Sequence, residues 1–166
     1  LIMTNIRLYD YQIEMKERIE AAFRSCRSVM VQMPTGTGKT HVLASVVTDE
    51  VQRVKNACVW IVAHRRELVE QIEASLICQS GLACSEFQSS FIKVMSIQWL
   101  SKHYGELDER PSLIVIDEAH HALARTYAEV MNAYPEAKKL GVTATPCRLN
   151  LKGYSDLFDV LLQSWS

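Results

Sequence analysis

Residues 28–52 change character twice, in a way that few folds accommodate. Val29, Met30 and Val31 form a short apolar run, Pro34 to Gly38 is a loop with two glycines, and Lys39 opens a segment with helical spacing. Such a run reads as a strand buried in a core, and the order strand, glycine loop, helix is one β-α step of an α/β sheet. The step recurs. The spacing predicts helix 11–24, strand 28–33, helix 39–52, strand 57–63, helix 65–79, a weak strand 82–86 and strand 91–95. Helix 97–104, strand 112–117, helix 120–133, strand 138–142 and a last helix near 154–163 complete the expectation. Repeated β-α units imply a mostly parallel central sheet covered on both faces, a three-layer α/β fold. At 166 residues, 48% hydrophobic and 22% charged, the chain suits one domain over 1–166, without repeats or low-complexity tracts.

The glycine loop has a chemical purpose. In Met33-Pro34-Thr35-Gly36-Thr37-Gly38-Lys39-Thr40, the glycines let the backbone turn tightly and aim N–H groups at phosphate oxygens, and the following helix adds the positive end of its dipole. Lys39 is suited to the β- and γ-phosphates and the Thr40 hydroxyl to magnesium. Thr35, Gly36, Thr37 and Gly38 complete the cradle, although the strict pattern has glycine where Met33 stands. About eighty residues later Leu113-Ile114-Val115-Ile116 reads as a buried strand that ends at Asp117-Glu118-Ala119-His120. Asp117 then suits magnesium, and Glu118 suits orienting or deprotonating an attacking water. Acids that merely complement a helix dipole would leave the same pattern. The two segments together, in this order, describe an ATP- and magnesium-dependent site.

Bulk properties set limits. The formal charge is -1 with a pI near 6.6, so a nucleic-acid site has to be a local patch. Five scattered cysteines (Cys26, Cys58, Cys78, Cys84, Cys147) without a CxxC pair argue against a disulfide framework and against zinc. They suit core thiols in a reducing cytoplasm. No stretch has the length of a transmembrane helix, so no membrane partner is expected, and the first five residues do not resemble a signal peptide. Leu1 and Ile2 ahead of Met3 suggest a cloning remnant or an excised segment.

With these segments in view, the chain resembles the first RecA-like motor domain of superfamily 2 helicases and translocases over nearly its whole length. Leu8-Tyr9-Asp10-Tyr11-Gln12 is similar to the family's upstream adenine-reading element, which makes Gln12 the adenine reader. Arginine and proline often stand in the family where Tyr9 and Asp10 stand here. Val62 to Gln71 resembles the first strand-contacting motif, with Arg65 and Arg66 as phosphate contacts. A charged helix start facing solvent is the other reading of those residues. Val94 to Leu100 resembles a second such motif, with Ser96 and Gln98 toward nucleic acid.

Gly141 to Pro146 resembles the coupling motif, in which Thr143 and Thr145 join the γ-phosphate site to the strand-binding side with His120 as partner. A strand end closed by an X-Pro turn would look the same. The combination is most similar to the RadD-like, XPB-like and restriction-enzyme motor group, which implies ATP, magnesium and duplex DNA as partners. It also implies a second RecA-like domain that supplies an arginine finger. The sequence ends about twenty residues past the coupling segment, so the expectation is a domain that binds ATP but hydrolyses it poorly alone. A nucleotide-gated sensor or scaffold, and an RNA helicase, are the alternatives.

Overall fold

The computed structural model describes residues 10–33, 39–63, 92–117, 124–143 and 158–163. Six strands form one sheet: β1 Ser28–Gln32, β2 Val59–Ala63, β3 Ile92–Ser96, β4 Leu113–Asp117, β5 Lys138–Thr143 and β6 Val160–Gln163. Their order across the sheet is β3-β2-β4-β5-β1-β6, and every adjacent pair is parallel. The described helices are α1 Asp10–Phe23, α2 Lys39–Arg53, α3 Ile97–His103 and α4 Ala124–Asn132, with a 3-10 turn at Tyr104–Glu106.

The strands are buried on both faces because their residues alternate between two cores. On one side Val29 and Val31 of β1, Val59 and Ile61 of β2, and Val115 and Leu140 pack under Met15 and Ile19 of α1 and Val42, Val46 and Val47 of α2. On the other, Met30, Trp60, Val62, Ile114 and Ile116 meet Leu100 of α3 and Tyr127, Val130 and Met131 of α4. Each buried aliphatic side chain contributes about 1.5–3 kcal/mol relative to exposure. Trp60 is fully buried and meets Tyr134 edge-on at 4.9 Å, while the Tyr134 hydroxyl donates to the Tyr104 carbonyl at 2.9 Å. Burial pushes the Cys58 thiol up, with Glu109 adding to the rise, so it stays a protonated core thiol.

Charged pairs fasten the helices to each other and to the sheet. Lys16 of α1 lies 2.6 Å from Asp49 of α2, and Lys138 at the start of β5 donates to the buried Glu50 carboxylate at 2.5 Å. No helix among the described residues is long and apolar enough to cross a membrane.

One expected element is overturned. The helix predicted near 154–163 is a strand over Val160–Gln163, while 154–157 lie outside the described residues, as do the predicted helix 65–79 and strand 82–86. Three apolar residues in succession fit either element, and pairing decides: Val160, Leu161 and Leu162 stand in register with Val29, Met30 and Val31. The Asp159 amide donates to the Ser28 hydroxyl at 2.9 Å, fixing the entry to the strand. Phe158 then lies against Gly141 of β5, where an added Cβ would stand 2.6 Å from Phe158 Cζ and 2.9 Å from Met30 Cε.

Candidate nucleotide-binding edge of the sheet

In a parallel sheet all strands end on one edge, and ligands of α/β folds bind outside it. The ladder fixes which residues meet there. Gln32, the last residue of β1, pairs with Thr143, the last of β5. Asp117, the last of β4, pairs with Val142 and with Ala63, and Ala63 pairs with Ser96 at the end of β3. The roots of the glycine loop and of the acidic segment are thus two strand spacings apart, about 9–10 Å, with β5 between them. The Met33 amide donates to the Thr143 carbonyl at 2.9 Å and extends the β1-β5 ladder one residue past Gln32.

Lys39 and Thr40 are the first two residues of α2, whose first turn holds no acidic residue. The positive end of this helix dipole is uncompensated by the helix itself, which favours an anion. Gln12 and Thr143 are both buried at 2% exposure, Gln12 on α1 and Thr143 on the edge itself. Thr35, Gly36, Thr37, Gly38, Arg65, Arg66, Glu118, His120 and Thr145 lie outside the described residues. The backbone therefore brings the roots of both nucleotide segments, the coupling segment and both strand-contacting segments to one edge.

At β3 the structure gives Ser96 a local role besides the expected one. The Ser96 hydroxyl caps α3 by accepting the Trp99 amide at 3.2 Å, a local structural use for a residue expected to face nucleic acid. Gln98 is exposed. Trp99, to which the sequence reading assigned no role, is 43% exposed. The signal available for Ser96 was its place between an apolar strand and a helical run, where serine is a favoured N-cap.

The six-stranded parallel sheet with helices on both faces and a glycine loop between β1 and α2 defines a RecA-like P-loop domain. The chain belongs to the family described as Type III restriction enzyme, res subunit, whose model matches residues 5–148. It is 29% identical over 134 residues to a 51.5 kDa protein of a Lactococcus phage (isolate 7-9), covering 81% of this chain and 28% of that one. It is 28% identical over 167 residues to the DNA 3'-5' translocase XPB2 of Sulfurisphaera tokodaii, covering 98% of this chain and 36% of that one. The chain spans about a third of the length of these relatives. Among solved structures, the UvsW helicase of bacteriophage T4 superposes with a TM-score of 0.74 at 14% identity, covering 96% of this chain and 61% of that one. Family and fold together identify a first RecA-like domain of the superfamily 2 helicase type.

Proposed function

We propose that the chain is the ATP-binding motor domain of a superfamily 2 DNA helicase or translocase that works on duplex DNA. The observation that carries this reading is the ladder order at the carboxyl edge, where β5 and its coupling segment lie between the glycine-loop strand and the acidic strand. Backbone N–H groups of Thr35 to Gly38 would cradle the phosphates, Lys39 would neutralise the β- and γ-phosphates, and Gln12 would read adenine. The α2 first turn, free of acids, and the termination of β4 at Asp117 fit a nucleotide with magnesium held by Thr40 and Asp117. Magnesium held there would supply charge neutralisation at the phosphates. Glu118 would orient the attacking water, and His120, Thr143 and Thr145 would transmit the state of that site toward the strand contacts at Arg65, Arg66, Ser96 and Gln98. Full turnover requires an arginine from a second RecA-like domain, worth about 10³–10⁵ in rate.

Binding of a fluorescent ATP analogue with magnesium to the 166-residue chain tests the site. Lys39→Ala is expected to weaken binding about 10- to 150-fold, the equivalent of a charge-assisted hydrogen bond worth roughly 1.5–3 kcal/mol. Glu118→Gln should bind like the wild type and, in the complete motor, lose hydrolysis. Wild-type affinity in Lys39→Ala, or wild-type turnover in Glu118→Gln, would sink the assignment. Rapid DNA-stimulated hydrolysis by this chain alone would show that no second domain is needed.

A further inference from the structure

Trp99 is one of three large hydrophobic side chains, with Tyr11 and Ile13, that stand exposed among the described residues. Its helix does not need it for packing, since Ile97 and Leu100 supply the buried face of α3. Yet Trp99 is held at three points. Its amide donates to Ser96 Oγ at 3.2 Å, its carbonyl accepts from His103 Nδ1 at 2.7 Å, and its ring stacks on the His103 imidazole at 4.4 Å and 16°. With its backbone held by Ser96 and His103 and one ring face against the imidazole, the side chain has less rotamer freedom to lose when something stacks on its other face.

Its surroundings select the partner. The segment Ile97-Gln98-Trp99-Leu100-Ser101-Lys102-His103 contains no acidic residue and carries Lys102 and His103 in its last turn, which suits a polyanion. Ser96 pairs with Ala63 at the carboxyl end of β2, so α3 begins at the same sheet edge as the ends of β2 and β4. Bases inside a duplex already stack on one another, so a flat aromatic surface here can take only a base that is unpaired.

We propose that Trp99 is a stacking platform for an unpaired base of the bound strand, positioned by Ser96 and His103. This rests on the nucleic-acid reading above and deepens it, because a contact of this kind serves strand separation and not passage along an intact duplex. Anisotropy of a fluorescein-labelled mixed-sequence DNA strand, binding the 166-residue chain at low salt, tests it. Trp99→Ala is expected to weaken binding about 5- to 150-fold, the equivalent of 1–3 kcal/mol for one stacked base. Trp99→Phe should keep most of the affinity.

Two controls separate stacking from a general loss of structure. On an abasic strand, wild type and Trp99→Ala should bind equally, and on blunt duplex their affinities should match. The salt slope should be unchanged in Trp99→Ala, because stacking releases no counterions, and should fall by about one per residue in Arg65→Ala and Arg66→Ala. Trp99→Ala binding the natural strand as tightly as the wild type overturns the platform. So does an equal loss on natural and abasic strands. A wild-type chain that binds neither strand nor duplex overturns the nucleic-acid reading itself, and the platform with it.

Discussion

Replacing Gly141 by alanine sets two opposing effects against each other. Removing a glycine from a strand stabilises by about 0.4–1 kcal/mol, since the unfolded chain loses freedom. Against that, the new Cβ would stand 2.6 Å from Phe158 Cζ and 2.9 Å from Met30 Cε, closer than carbon atoms tolerate. Overpacking of this kind costs about 1–3 kcal/mol, so the clash cancels or outweighs the gain and the net loss is roughly 0–2.6 kcal/mol. At roughly 2–4 °C per kcal/mol for a chain of this size, Tm should fall by up to about 10 °C. Circular dichroism melts of Gly141→Ala, Phe158→Ala and the double variant measure it. Phe158→Ala removes the nearer obstacle and leaves only the end of a flexible methionine, so alanine at 141 should cost little in that background, a coupling above about 0.5 kcal/mol. A Gly141→Ala protein more stable than the wild type, or a strictly additive double variant, would refute the close approach of Phe158 to β5.

Ser96→Ala should destabilise the chain by about 0.5–2 kcal/mol through loss of the α3 cap, and Ser96→Asp should restore most of it; two variants that melt alike would remove the capping role. Lys139 gives a pH test. Burial holds its ammonium below the ordinary 10.5, Arg27 adds to the fall, and Glu136 and Asp159 oppose it. The unfolded chain therefore binds this proton more tightly, and Lys139 makes stability rise with pH through the window that ends at 10.5. In urea titrations, Lys139→Met should lose stability relative to wild type as pH rises through that window, and a constant difference would contradict the assignment.

Much of this architecture was legible because each strand end coincides with a change in residue chemistry. The apolar run 113–116 stops at an acid, and the run 29–31 stops at a glycine loop, so both elements and their shared edge could be read directly. Sheet order could not, because β1 has β5 and β6 as neighbours, and pairing between distant segments leaves no local trace. The same reason explains the strand at 160–163, where Val160, Leu161 and Leu162 look helical until β1 is beside them. The motif at Ser96 points to a strand contact, and its cap of α3 shows only once the Trp99 amide is seen beside its hydroxyl. The prominence of Trp99 depends on which face of α3 the core covers, and a seven-residue helix is too short for periodicity to reveal that.

The sixth strand also bears on where this domain can be cut. The family match ends at residue 148, and a boundary drawn there would look natural because every recognisable motif precedes it. It would discard Phe158 and the whole of β6, and β1 would lose its partner on one side. The outer backbone groups of Val29 to Gln32 would then be open to water or to another chain, at the strand that leads into the glycine loop. A shortened version would keep every motif and still have a frayed, aggregation-prone edge at β1, so the folding unit extends beyond the last motif to Gln163 at least.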